Sequence, residues 1–198
     1  YFISINGDLY SKDRTRFIRY AAAKEDTSFS LRKGVDSIDK YAFSEADALI
    51  TIEIPATVTT IGFAAFDNCT NLEKITVPVI GESEESNTYL GYIFGAESAT
   101  AYDALPENLK DIVVTNATEV PANAFSGFKY VESITIPDDV VKIGAYAYQN
   151  CESLTSINIP ETVLSIGSGA FAGCSGLTSI TIPDSVTSIG SSAFWGCS

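Results

Sequence analysis

The C-terminal part of the chain repeats itself with a period of 23 residues, and this period constrains the fold more than any other feature. One copy of the repeat runs from Leu154 to Cys174, and the next runs from Leu177 to Cys197 with most positions unchanged. A fixed period of this length is typical of a stack of small units, each of which buries its apolar face only against its neighbours. The sequence therefore predicts an elongated stack of coils with a continuous core.

The pattern L-x-x-I-x-I-P-x-x-V-x-x-I-G-x-x-A-F-x-x-C can be followed backwards through most of the chain. Residues 1–24 differ from it, because Asn6-Gly7 lies between two alternating apolar segments, which predicts a small β-meander. We interpret residues 1–198 as one domain and as a section of a longer chain. The seven predicted coils are 25–48, 49–71, 72–108 (the enlarged coil), 109–130, 131–153, 154–176 and 177–198.

Each coil contains two short segments that are predicted to be extended. In the I-x-I segment, alternation with period two places both apolar side chains inward and the residue between them outward. Proline follows this segment in most coils and ends the strand. The second segment, V-x-x-I-G, ends at a glycine that we expect to allow a tight bend. The predicted inward pairs are Ile52/Ile54, Ile75/Val77, Ile112/Val114, Ile134/Ile136, Ile157/Ile159 and Ile180/Ile182.

Composition argues against several classes of function. The chain has no histidine, which excludes the Ser-His-Asp triad, the Cys-His pair and every histidine-based metal site. Its net charge is −13, although residues 1–40 hold eight of the twelve basic residues. Such an acidic surface repels phosphate backbones, so we expect no nucleic-acid partner. No apolar run is long enough to span a membrane, so we expect no membrane insertion.

The four cysteines occupy one shared position of the repeat, which predicts a shared structural role. Parallel Cβ vectors on neighbouring coils do not suit a disulfide, so we expect buried free thiols. The short paired spacing of a zinc site is absent. The acidic loop 81–86 lacks the spacing of an EF-hand. We therefore expect no metal, no cofactor, no catalytic residue and no enzymatic activity.

The repeat pattern resembles the BspA-like leucine-rich repeat, also called the Treponema type. The opening segment 5–13 and the segment 89–95 also resemble sequences found beside such repeats. The resemblance implies a leucine-rich repeat solenoid, a right-handed superhelix of short parallel strands, turns and single-turn helices. It also implies a secreted or surface-attached protein, mainly of bacteria, that is associated with adhesion to host proteins or other cells.

Two surfaces are candidates for contact with a partner. The first is the row of outward residues on the I-x-I segments, which are equally compatible with plain solvated strand positions. The second is the enlarged coil, whose aromatic residues either form a binding loop or pack the irregular coil. Trp195 is either a contact residue or a cover for the last coil. The candidate partner-binding residues are Glu53, Lys74, Asp111, Thr135, Asn158, Thr181, Tyr89, Tyr102 and Trp195.

The sequence thus favours a non-catalytic binding or adhesion module, extracellular or at the cell surface, that recognises a host or bacterial surface protein or a glycan. The alternative interpretation is a structural spacer that displays other domains on a bacterial surface. A stiff array binds through area and avidity rather than through one deep pocket.

The inward assignment can be tested at Ile157. We expect Ile157→Ala to lower the free energy of unfolding by ~2–5 kcal/mol, because transfer energy is lost and a cavity remains. Urea denaturation measures this change. A melting temperature that stays the same in Ile157→Asn would show that the side chain does not point inward.

Overall fold

The structure, a computed structural model, describes residues 1–21 and 23–197. Ala22 and Ser198, which fall in the predicted meander and in the last predicted coil, lie outside the described residues. The described residues form a β-solenoid of about eight turns, built from short parallel strands. The predicted fold class is therefore confirmed.

Short strands supply nearly all of the regular secondary structure. Two 3-10 helices, Leu90–Phe94 and Tyr102–Ala104, lie in the enlarged coil. None of the helices in the described residues is long and apolar enough to cross a membrane. The strands are Phe2–Ile5 (β1), Asp8–Ser11 (β2), Arg16–Arg19 (β3), Ser28–Ser30 (β4), Ser37–Ile38 (β5), Thr51–Glu53 (β6), Thr60–Ile61 (β7), Lys74–Val77 (β8), Asp111–Val114 (β9), Glu119–Val120 (β10), Ser133–Thr135 (β11), Lys142–Ile143 (β12), Ser165–Ile166 (β13) and Ser188–Ile189 (β14).

The strands join into three sheets that follow the axis of the solenoid. The I-x-I sheet has the spatial order β11-β9-β8-β6-β4, and all of its neighbouring strands are parallel. The second segments of the coils form the sheet β10-β12-β13-β14 and, together with the N-terminal strands β1, β2 and β3, the sheet β1-β2-β3-β5-β7. The enlarged coil separates these two sheets, because its extra residues replace a regular second strand.

The N-terminal meander is confirmed and is continuous with the solenoid. Strands β1 and β2 are antiparallel around Asn6-Gly7, and β3 is antiparallel to β2. Strand β3 also pairs in parallel with β5, with Phe17 beside Ile38. The meander therefore supplies one turn in addition to the seven coils counted in the sequence.

The core consists of ladders of like side chains along the axis. Both members of the predicted inward pairs are buried from Ile52 to Ile159, whereas Ile180 and Ile182 are partly exposed in the last coil. The corner phenylalanines stack as well: the ring centroids of Phe43 and Phe66 lie 5.0 Å apart. Burial of each large side chain contributes roughly 1.5–3 kcal/mol, and stacking adds about 0.5–1.5 kcal/mol per pair.

The four cysteines are free thiols, and three of them are buried, as predicted. The structure adds a reason for their shared position. Each Sγ donates a weak hydrogen bond to a carbonyl in the preceding coil: Cys174 Sγ lies 3.0 Å from Tyr148 O, and Cys151 Sγ lies 3.2 Å from Phe125 O. Burial also raises the pKa of Cys69 to about 12, so this thiol stays protonated near neutral pH.

The glycines of V-x-x-I-G do not serve the bend that we expected. A Cβ at Gly62 would lie 2.4 Å from Lys40 N, and a Cβ at Gly167 would lie 2.4 Å from Ala145 N. These glycines therefore let neighbouring backbones approach closely. The left-handed conformation falls at other corner positions, including Tyr146 with φ 57°. Tyr146 lies two residues after Gly144, the glycine of V-x-x-I-G in its coil. Because the tight turn is at Tyr146, the bend does not need glycine at position 144.

The prediction of I-x-I strands in the last two coils is wrong. Residues 157–159 and 180–182 form no strand, and the I-x-I sheet ends at β11. Ile157 and Ile159 are nevertheless buried while Asn158 is exposed. Alternation of apolar and polar residues thus reports which side chains are buried, but it does not guarantee a hydrogen-bonded ladder.

Tyr148 occupies a corner position that is phenylalanine in the other regular coils. Its ring is fully buried and stacks on Phe171 with a centroid distance of 4.9 Å. Among the described residues, its hydroxyl has no hydrogen-bond partner. We expect Tyr148→Phe to raise the free energy of unfolding by about 1–3 kcal/mol, because it removes a buried unsatisfied donor.

Urea denaturation measures this gain. Tyr146→Phe, a matched change at an exposed ring two residues away, should leave stability unchanged. A Tyr148→Phe variant that is less stable than the parent chain would show that the hydroxyl is satisfied.

Candidate functional site

The outward side chains of the I-x-I sheet form two straight rows across its five strands. Parallel pairing without a register shift places residues of the same repeat position side by side. We call the surface made by these two rows the sheet face. Its first row is Ser28, Thr51, Lys74, Asp111 and Ser133, and its second row is Ser30, Glu53, Thr76, Val113 and Thr135.

The sheet face contains a shallow depression of about 360 Å³ at its N-terminal end. Glu53 and Lys74, both predicted as contact residues, lie on its border together with Thr76. Ser28 and Ser30, which were not predicted as contact residues, line the same depression. The signal was present, because these serines are 23 residues before Thr51 and Glu53.

Lys74 and Asp111 contact each other. They are opposite residues on β8 and β9, and the Lys74 ammonium donates to the Asp111 carboxylate. The side chains are 47% and 29% exposed, so solvent screens much of this attraction. The pair reduces the charge that this part of the sheet face offers to a partner and fixes the orientation of both side chains.

The remaining predicted contact residues are not brought together. Thr135 is exposed on the last strand of the sheet, and Asn158 and Thr181 are exposed in the two segments that form no strand. The Tyr89 hydroxyl donates to Ala96 O over 3.2 Å, and the Tyr89 ring lies edge-on to Tyr92. Tyr89 therefore packs within the enlarged coil as well as facing solvent.

Trp195 and Tyr102 differ in how firmly they are held. Trp195 is 73% exposed at the last corner of the stack. Tyr102 is half-buried, and its hydroxyl lies 2.8 Å from the Ser126 hydroxyl. Tyr102 also borders a second cavity, of about 340 Å³, between the enlarged coil and the two coils after it.

Four further residues of this second cavity were not predicted from the sequence. Lys129, Tyr130, Asn150 and Glu152 line it, and none of them was singled out. They lie between a corner and the next strand, where the repeat pattern does not specify the residue. Sequence periodicity therefore gave no signal for them, and only the extra residues of the enlarged coil pointed to this region.

Two of the three buried thiols are kept protonated by burial, whereas the neighbouring Cys151 side chain lowers the pKa of the third, Cys174. Burial is the largest cause that raises the pKa of both Cys69 and Cys151. Within residues 1–21 and 23–197, no group of three or more His, Cys, Asp or Glu side chains is arranged to hold a metal ion.

The repeat and the fold identify the family of this chain. The model of the BspA type leucine-rich repeat region matches residues 20–113 and 98–198, with six copies. The chain belongs to the BspA-type leucine-rich repeat family, as the sequence pattern predicted. This family and fold are typically non-catalytic, and membership indicates a binding or structural role. A search of curated proteins found no match.

Solved bacterial structures are similar to this chain. A leucine-rich repeat protein from Eubacterium ventriosum aligns with a TM-score of 0.58 and 25% identity, over 92% of this chain and 51% of that one. One from Bacteroides ovatus has the same TM-score and 26% identity, over 91% of this chain and 50% of that one. A protein from Faecalibacterium prausnitzii has a TM-score of 0.53 and 24% identity, over 91% of this chain and 54% of that one. The chain thus spans about half the length of these proteins.

The side chains of the sheet face should be dispensable for folding. We expect Glu53→Ala and Lys74→Ala to change the free energy of unfolding by less than about 1 kcal/mol, because exposed charges and cross-strand pairs contribute little. Urea denaturation of each variant measures this. A loss of more than about 2 kcal/mol, a value typical of core residues, would show that the side chain is structural.

Proposed function

We propose that the chain is a non-catalytic binding or adhesion module that recognises a protein or glycan through its sheet face. The observation that supports this proposal best is the pair of straight rows, which hold side chains at fixed spacing across five strands, all of them polar except Val113. The depression near Glu53 and Lys74 gives the rows a concave contact point.

The rigidity of the surface favours binding. The buried ladders beneath β4, β6, β8, β9 and β11 fix the backbone of the sheet face before a partner arrives. A partner then loses its own freedom of motion, while this surface has little conformational entropy to lose. Thr135 is the last residue of the second row, and Asn158 and Thr181 are exposed at the same repeat position in the two coils after the sheet ends.

We further propose an extracellular or cell-surface location. The protein from Faecalibacterium prausnitzii is described as a leucine rich cell surface protein, and the family suggests a similar location for this chain. The partner would then be a surface protein or glycan of a host or of another bacterium.

The ion pair between Lys74 and Asp111 favours a second candidate function. Two charged residues that satisfy each other have less need of a partner, as expected for a solvated surface. On this interpretation the chain is a structural spacer, whose stiff stack holds other domains at a distance from the bacterial surface.

An array of host matrix proteins, host glycans and bacterial glycans distinguishes the two functions. The binding function predicts saturable binding to at least one arrayed molecule. It also predicts that charge reversal in Glu53→Lys weakens that binding by about tenfold or more, since one or more contacts at the depression are lost.

Glu161→Lys is the matched control, because it makes the same charge change at an exposed residue outside the sheet face. It should leave the binding unchanged. Equal losses in Glu53→Lys and Glu161→Lys would overturn the sheet face as the contact surface. No saturable binding by the folded chain across the array would favour the spacer.

A further inference from the structure

The second cavity has the size and position of a site for a small ligand. It lies where residues 102–107 of the enlarged coil meet the corners of the next two coils, and its volume of about 340 Å³ falls within the range of small-molecule pockets. It shares no residue with the sheet face. A ligand bound in this cavity would therefore add a function beyond the one proposed for the sheet face and independent of it.

Tyr102 forms a rigid aromatic wall of the cavity. The 3-10 helix Tyr102–Ala104 places its ring directly over Gly127, where a Cβ would lie 2.1 Å from Tyr102 Cδ1. The Tyr102 hydroxyl is 2.8 Å from the hydroxyl of Ser126, which is buried. The ring is thus fixed at both ends before any ligand arrives, which lowers the entropic cost of binding.

Tyr130 and Lys129 also line the cavity, and they contact each other. The Lys129 ammonium lies 4.5 Å from the centroid of the Tyr130 ring, within the range of a cation–π contact. The Tyr130 side chain raises the pKa of Lys129, and the nearby carboxylates of Glu107 and Glu152 raise it further. The lysine therefore remains a charged donor.

Charge decides which class of ligand suits this cavity. Three carboxylates, those of Asp103, Glu107 and Glu152, line the cavity together with the Lys129 ammonium. The Lys110 ammonium lies 5.7 Å from the Tyr130 ring centroid, but it is also 3.8 Å from the Glu132 carboxylate. The net charge around the cavity is therefore negative, which disfavours an anion such as phosphate. A cation would compete with Lys129, whose ammonium already contacts the ring of Tyr130 and is attracted by the carboxylates of Glu107 and Glu152. A neutral ligand meets neither obstacle.

The walls and rim then specify the shape of a neutral ligand. The Tyr102 ring offers a flat apolar surface, while the Lys129 ammonium, the carboxylates and the Asn150 amide supply hydrogen-bond donors and acceptors. A pyranose sugar has a matching apolar C–H face and a rim of hydroxyl groups that both donate and accept. We propose that this cavity, which we call the Tyr102 pocket, binds a neutral hexopyranose unit of a glycan.

Saturation-transfer NMR with the methyl glycosides of glucose, galactose, mannose and N-acetylglucosamine tests the proposal. We expect saturable transfer to at least one sugar, with an affinity in the millimolar range that suits a few contacts. Tyr102→Ala should weaken it by about tenfold or more, because an aromatic contact is lost. Tyr102→Phe should keep most of it, since the hydroxyl is engaged with Ser126.

Tyr146→Ala is the matched control. The Tyr146 ring also covers a glycine of the next coil, since a Cβ at Gly169 would lie 2.5 Å from Tyr146 Cε1. Tyr146 does not line the Tyr102 pocket, so its removal should leave sugar binding unchanged. Glu152→Gln changes only an exposed carboxylate and should weaken binding several-fold without affecting the fold.

Three results would overturn the proposal. One is the absence of saturable transfer from the folded parent chain to any of the four sugars. Another is an equal loss of binding in Tyr146→Ala and Tyr102→Ala, which would indicate non-specific contact with exposed rings. The third is preferential binding of Nα-acetyl-lysine amide, which would assign the pocket to a cationic side chain of a protein. None of these results depends on whether Glu53→Lys alters binding on the array.

Discussion

The burial of each coil against its two neighbours is the interaction on which the rest of this structure depends. No coil of about 23 residues has an interior of its own, so the Ile, Val and Phe ladders exist only between coils. The close approach of backbones at Gly62 and Gly167 brings those ladders into contact. The same proximity places each cysteine Sγ beside a carbonyl of the preceding coil. The short distance between backbones, the buried ladders and the thiol contacts are therefore all consequences of one stacking geometry.

The enlarged coil shows what happens when that geometry is interrupted. The corner rings stack in parallel on either side of it, but Phe94 meets Phe66 at 46° and Phe128 at 67°. The core therefore continues through the irregular coil with tilted rings in place of stacked ones. The extra residues also project past the regular corners, which creates a cavity beside Tyr102 that a uniform array would lack. Irregularity here adds surface without dividing the core.

The sequence predicted the features that follow from residue type or from a recognisable turn signal, and it missed those that depend on how neighbouring coils contact each other. The inward ladders and the free thiols follow from residue type at a periodic position, and the meander follows from the turn signal at Asn6-Gly7. The roles of Gly62 and Gly144 were misjudged, because a pattern shows that glycine recurs but does not show whether φ or proximity requires it. Only part of the Tyr102 pocket could be predicted from the sequence. Tyr102 stood out in the enlarged coil, whereas Tyr130 and Lys129 occupy positions on which the repeat imposes no constraint.

A solenoid converts position along the chain into position along an axis, and this has an electrical consequence. Eight of the twelve basic residues lie within residues 1–40, and most of the acidic residues lie in the later coils. The stack is therefore a long electric dipole with its positive pole at the meander. Near a negatively charged surface such a molecule turns its meander inward and its acidic coils outward. This orienting torque acts over about 10 Å at an ionic strength of 0.1 M and weakens as salt is added.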